Sequence, residues 1–298
     1  MVKKFLRNSI YTLSWVVARL RFSVLLSKVF QVRYNPELIQ FNKFFKLHNG
    51  RNIFVCKIDF IGKEFAHISQ VGRNVILVTG NGDRPVTKEL LTRLPRNVVK
   101  WYAQNVEVVD DRVVPIPLGL ENHEAAWRFG HGHAFFRAKR KLNILSRPVL
   151  TEPSKFLYAN FSVNTNYKLR SMIYELVSEV CYIHAETACL NVDEYFARIA
   201  EYKMNICPFG NGYDTHRLWE TLYASRVPVV IRGAEDIGLF KLYEKLPIVI
   251  LDEVKELLNF PLLEKKYHQV KNQDWDLALL NFSFWQHQIL TSSELSQS

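Results

Sequence analysis

Short apolar runs separated by amphipathic stretches mark the chain from residue 52 to about residue 251. Asn52–Ile58, Asn74–Thr79, Lys155–Phe161, Val180–Ile183, Asn205–Cys207, Val227–Ile231 and Pro247–Leu251 read as strands. Gly62–Val71, Pro85–Leu94 and a stretch containing Arg170 read as helices, as do one capped at Asn191 or Asp193 and one opening at Asp214. Apolar runs of this length alternating with amphipathic segments predict parallel sheets covered on both faces. Val113–Gly119 adds an edge element, because its prolines suit a strand end rather than a central position.

The alternation is interrupted once. Arg128–Lys141 is basic and carries glycine and histidine, and it runs into Arg147-Pro148 and Glu152-Pro153, which predicts an excursion and an interdomain linker. Two Rossmann-like halves follow, 1–148 and 149–263. Residues 264–298 form terminal helices, from Glu264 and from Asp274 to Leu290, able to pack back on the first half. Ser292–Ser298 is expected to fray.

Residues 1–36 carry seven Lys and Arg, from Lys3 to Arg33, and no acidic residue, while Leu13, Val16, Val17, Leu20 and Val24 recur at helical spacing. This is either a basic amphipathic helix lying on an anionic membrane surface or a first helix covering the core. The uncharged run Asn8–Ala18 is too short to span a bilayer, and no signal-peptide cleavage site follows it.

An apolar content of 48% with 23% charged residues is that of a packed chain, not a disordered one. The net charge of +10 calls for an acidic partner without choosing among nucleic acid, an anionic membrane and a phosphate-rich substrate. Cys56, Cys181, Cys189 and Cys207 form no C-x-x-C pair. That argues against a zinc ribbon or a disulfide framework and for reduced thiols in a cytoplasmic setting, peripheral on a membrane's inner face if the first helix binds one.

Candidate chemistry concentrates in Asn205–Ile231. A strand, a Gly210-Asn211-Gly212 turn, a helix opening at Asp214-Thr215 and a second strand make a β-loop-α-β unit, whose unpaired N–H groups and helix N-terminus favour a nucleoside diphosphate. Arg217, Glu220 and Ala224 share one helix face. Arg217 can reach a pyrophosphate bidentately, and Glu220 can accept ribose hydroxyls. The plain alternative is a surface helix with an Asp214 cap and an Arg217–Glu220 pair.

A second turn, Asn160–Arg170, sets Ser162, Asn164, Thr165 and Asn166 at a helix start with Arg170 one turn inward; a polar cap with a solvated arginine is the alternative. Asp83, Asp59 and Glu121 stand just past strands and are candidate bases, although Asn81-Gly82-Asp83 is also a good turn and helix cap. His131 and His133 lack companion ligands and read as solvated loop histidines.

Cys207, Pro208, Gly210, Arg217, Glu220, Val227, Pro228 and Val229 stand where the donor-binding motif of exostosin-like glycosyltransferases has a Cys-Pro-x-Gly turn, an Arg-x-x-Glu helix and a Val-Pro-Val strand. The segment resembles that motif. Val78–Asp83, Trp101–Asn105 with Ile116–Glu121, and Tyr158–Arg170 look like further parts of such enzymes. The resemblance implies an α/β GT-B fold: two Rossmann-like doubly wound domains facing a central cleft, an acceptor domain at 1–148 and a donor domain at 149–263.

It also implies a UDP- or GDP-sugar donor and a hydroxyl acceptor on a glycan, glycolipid or glycoprotein. Arg170 and Arg217 would neutralise the leaving diphosphate, and Ser162, Asn164, Asn166, Gly210, Gly212, Asp214, Thr215 and Glu220 would complete the donor site. One of Asp83, Asp59 and Glu121 would deprotonate the acceptor, with inversion. No cofactor and no essential metal are expected, because arginines and helix N-termini perform the task of a metal clamp. The rival readings are a nucleic-acid-binding protein without a recognisable motif and an inactive scaffold of the same fold.

Overall fold

The computed structural model describes residues 34–122, 132–147, 151–186, 190–233 and 237–296. The basic amphipathic stretch, and with it the membrane expectation, falls almost wholly on 1–33, outside the described residues, as do His131 and Cys189. Among the described residues no helix is long and apolar enough to cross a membrane.

Two all-parallel sheets with interleaved helices form the α/β architecture that the apolar alternation predicts. In the first, β1 (Ile53–Lys57), β2 (Val75–Gly80), β3 (Val98–Ala103) and β4 (Val113–Pro115) lie in sequential order. Successive side chains point to opposite faces, so Phe54, Cys56 and Leu77 meet α1 (Ile61–Ile68) and α2 (Lys88–Thr92) through Phe65, Ile68 and Leu90. Ile53, Val55, Ile76 and Val78 face the other way. They pack against Phe41 and Phe44 of a 3-10 helix (Phe41–Leu47) and against Trp285 and Ile289 from the far end of the chain.

The second sheet has the order β6-β5-β7-β8-β9, from strands β5 (Lys155–Asn160), β6 (Ile183–Glu186), β7 (Tyr202–Ile206), β8 (Val227–Ile231) and β9 (Val249–Leu251). α3 (Gly132–Leu145) precedes β5, α4 (Tyr167–Val177), α5 (Val192–Glu201), α6 (His216–Tyr223) and α7 (Phe240–Tyr243) link the strands, and α8 (Phe260–Asn272) follows β9. Ile173 and Val177 of α4 and Leu263 and Val270 of α8 cover one face. Tyr195 and Ile199 of α5 cover Tyr158 on the other, where Leu218 and Trp219 of α6 cover Cys207 and Val230. One apolar cluster runs from Ile53 and Val78 of the first sheet to Trp219 and Val230 of the second, so the two halves share a core.

Several elements differ from the sequence reading for identifiable reasons. Val98–Ala103 is a central strand that the pattern conceals, because Lys100 interrupts its apolar run. The strand expected at Val180–Ile183 begins at Ile183 and continues through His184 and Glu186, since the faces of an edge strand are less fully covered and tolerate polar side chains. The expected linker is helical from Gly132 onward. Pro261 lies in the first turn of α8 instead of preceding it, a position where its missing N–H costs nothing.

Ser292 and Ser293 are not a tail. They belong to α9 (Phe282–Leu295), where Ser292 Oγ lies 2.7 Å from the Tyr102 hydroxyl and Ser293 Oγ accepts from the Asn52 amide.

Candidate functional site

Strand order in the second sheet reverses between β5 and β7, and parallel sheets bind ligands in the crevice outside such a point. The two loops that leave these strands, Phe161–Asn166 and Cys207–Thr215, are joined there by one side chain. Arg170 Nε donates to Phe209 O at 2.8 Å and Nη2 to Pro208 O at 3.0 Å, while Nη1 reaches Ser162 O at 2.9 Å and Thr165 Oγ1 at 2.6 Å. Arg170 is only 8% exposed as a residue, and its guanidinium lies 5.8 Å from the centre of the Phe161 ring.

No carboxylate among the described residues forms an ion pair with Arg170. Burial, and next the like charge of Arg217, pull its pKa down to about 10. A buried charge held only by neutral acceptors is costly, and an incoming anion would relieve that cost. Gly210 keeps the approach open: a Cβ there would lie 3.0 Å from Nη2.

The opposite wall comes from the first sheet, and the cleft between them has a volume of about 320 Å³. Asn81, in the left-handed region at φ 56, donates its N–H to Gln104 Oε1 at 2.8 Å, and Gln104 Nε2 donates to Pro117 O at 2.9 Å. Asn105, at φ 53, accepts the Asp214 N–H at 2.8 Å and donates to Gly82 O at 3.0 Å. Gly212 must be a glycine, since a Cβ would stand 2.8 Å from Asn105 Oδ1. Gln104 thus fixes the loops of the first sheet, and Asn105 ties that sheet to the loop after β7.

The predicted residues divide into three groups. Asp83, Arg170, Gly210, Gly212, Asp214 and Thr215 line the cleft together. Asp83 is exposed and accepts from Asn211 Nδ2 at 3.3 Å across the opening. Asp59, exposed on a short 3-10 turn, lies behind Gly82, and a Cβ at 82 would be 3.1 Å from Oδ2. The Thr215 Oγ1 atom is buried and has no hydrogen-bond partner among the described residues.

Ser162, Asn164 and Asn166 form the edge of the loop after β5, where Asn166, at φ 54, donates to Phe209 O at 3.5 Å. Their side chains are not cleft-lining.

Arg217, Glu220 and Glu121 belong to a neighbouring charged cluster. Arg217 lies 4.9 Å above the Tyr195 ring and donates to its hydroxyl at 2.8 Å, so the simple Arg217–Glu220 pair is not formed. Glu220 is buried and bonded to Lys141 Nζ at 2.6 Å, which also reaches Glu121 at 3.0 Å, and Arg137 meets Glu121 at 2.6 Å. Burial pushes the Glu121 pKa up, but Lys141, His216 and Arg137 outweigh it and hold it at about 2. Glu220 is likewise lowered, with Lys141 prevailing over burial. Glu121 is thus a committed anion and a weak base, and Glu220 is spoken for by Lys141.

Asp214 is a structural group. Its carboxylate accepts from Thr215 N, Trp219 Nε1, the Tyr243 hydroxyl and, across the domain boundary, Leu118 N, all within 2.9 Å. Burial outweighs these donors and raises its pKa to about 6. The residue that caps α6 by position is Thr215, one place later than the sequence reading puts it.

His216, at the first position of α6, also lines the cleft, and the sequence reading passed over it. Its Nδ1 lies 2.7 Å from Gly119 O of the first domain. The only local signal is its place one residue after a helix-opening Asp-Thr. Among the described residues no group of three or more His, Cys, Asp or Glu is arranged to hold a metal ion. Among the described residues, Arg170 is the arginine or lysine that lines the cleft.

No family model matches the chain and no curated protein matches it, so the likeness of residues 205–231 to the exostosin-like motif rests on those residues alone. Among solved structures the chain is similar to an α1,3-fucosyltransferase determined with GDP-fucose. The two share 14% identity over 66% of this chain and 64% of the other, with a TM-score of 0.30. The match therefore spans less than two thirds of the fucosyltransferase chain.

Proposed function

We propose that the protein transfers a sugar from a nucleotide sugar to a hydroxyl acceptor, with the nucleoside diphosphate held at the β5/β7 crevice. The observation that carries this reading is Arg170: a buried guanidinium without a carboxylate partner among the described residues, opening past Gly210 into an interdomain cleft. Diphosphate oxygens would take up its remaining N–H, the Thr215 hydroxyl and the N–H groups of the loop after β7.

Glycosyl transfer with a diphosphate leaving group needs such a cation where negative charge develops, and Arg170 is the cation that lines the cleft among the described residues. In-line attack from the Asp83 side of the cleft would invert the anomeric centre. UDP- and GDP-sugars are the donors to try first, and glycan or glycolipid hydroxyls the acceptors.

The nucleic-acid alternative finds less support. Its second basic cluster is largely committed to internal contacts, with Arg137 on Glu121, Arg140 on Asp193, Lys141 on Glu121 and Glu220, and Lys139 over the Tyr34 ring.

Thermal-shift titration with UDP and GDP, followed by diphosphate release from a panel of their sugars, tests the reading. Saturable stabilisation by one nucleotide, about 2.7 kcal/mol at a hundred times its Kd, and its loss in Arg170→Met at a temperature where that variant is folded, are expected. A folded wild-type protein indifferent to every nucleotide would overturn it.

A further inference from the structure

We propose that His216 takes the proton from the acceptor hydroxyl, fixed for that task by the carbonyl of Gly119; this rests on the glycosyl-transfer reading above. Nδ1 of His216 is 2.7 Å from Gly119 O. A carbonyl can only accept, so Nδ1 carries the hydrogen and, in the neutral ring, Nε2 carries the lone pair. The ring lines the same cleft as Arg170 and Asp83.

The carbonyl is itself fixed. Gly119 has φ +66, a Cβ there would lie 2.3 Å from Ile39 O, and Leu120 N donates to that oxygen at 2.8 Å. The imidazole comes from the second domain and its orienting carbonyl from the first, so the base is set only when the two walls are together.

The competing carboxylates are less suited. Asp214 is saturated by donors, and Glu121 is held by Arg137 and Lys141. Asp83 is exposed, with one 3.3 Å contact to Asn211, and Asp59 stands behind Gly82. Among side chains, imidazole is best matched to proton transfer near neutrality. The charged groups around the ring are Glu121 beyond β4, which interacts with His216, and Arg170, Asp83 and Asp214 along the cleft.

In the step itself the acceptor proton passes to Nε2, and the acceptor oxygen bonds the anomeric carbon. The bond from that carbon to the diphosphate breaks, and its electron pair leaves on the nucleoside diphosphate beside Arg170.

His216→Asn keeps an N–H near the Nδ1 position and removes Nε2. In that variant UDP and GDP should bind within about threefold of wild type, whereas diphosphate release from the donor panel, to water or to soluble oligosaccharides, should fall at least about 100-fold. The acid limb of the wild-type pH–rate profile should vanish with it, and added imidazole should restore part of the rate. Nitrogen-15 spectra of the histidine-labelled wild type should show the Nδ1–H tautomer, a readout independent of turnover.

Wild-type rate and pH profile in His216→Asn, loss of turnover confined to Asp83→Asn, or an Nε2–H tautomer would each overturn the assignment while leaving sugar transfer intact. A wild type that binds no nucleotide defeats the transfer reading instead, and the spectra still decide the tautomer.

Discussion

Asp214 accepts the backbone N–H of Leu118 at 2.9 Å across the boundary between the two sheets. A carboxylate that the sequence offers as a helix cap is thus a tie between domains, and its three further donors, Thr215, Trp219 and Tyr243, fix the helix opening beside the cleft.

Asp214→Asn should destabilise the fold by about 2–4 kcal/mol, because an amide turns one acceptor into a donor among buried donors. The pH dependence has a definite sign. With its folded pKa raised to about 6, Asp214 holds a proton between about pH 4 and 6 that the unfolded chain has lost, so its contribution to stability grows as pH falls through that window. The gain is at most about 3 kcal/mol, and urea unfolding of Asp214→Asn across pH 4–7 should lack it.

Lys141 stands between Glu121 and Glu220, and Lys141→Met should cost about 3–5 kcal/mol, because it strands a buried carboxylate. Adding Glu220→Leu should recover much of that loss, and denaturation midpoints of the single and double variants measure the coupling. Glu121, with a folded pKa near 2, contributes stability that is present above about pH 4.3 and lost as pH falls towards 2.

Arg170→Lys keeps the charge but not the fork that joins two loops. A loss of about 1–3 kcal/mol in stability is expected from unsatisfied carbonyls, together with nucleotide affinity reduced about tenfold or more. Calorimetric titration at a temperature where the variant is fully folded separates the two effects.

Gly119→Ala should be among the most damaging small substitutions in the chain. The backbone is at φ +66 and the new methyl would meet the Ile39 carbonyl at 2.3 Å, so a loss of several kcal/mol is expected. Retention of the wild-type melting temperature would show that the Gly119 turn can relax.

The sheets were legible where strands are buried on both faces, as at Val75–Gly80 and Val227–Ile231, because burial on both sides leaves an unbroken apolar run. β3 and β6 were obscured by Lys100 and by the polar, partly uncovered faces of an edge strand. In the cleft, Arg170 and the two glycines could be read locally, since their requirements are local. Asp214, Glu121 and Glu220 could not: Leu118 is 96 positions from Asp214, and Lys141 is 79 from Glu220. A carboxylate's role depends on such partners, and local periodicity does not report them.

Asn52 of the first strand's approach bonds Ser293, 241 positions later. During synthesis the first sheet must therefore wait with Ile53, Val55, Ile76 and Val78 uncovered until α9 has left the ribosome. A truncation before Phe282 would injure the first sheet at β1 and β2, which lie more than two hundred positions upstream.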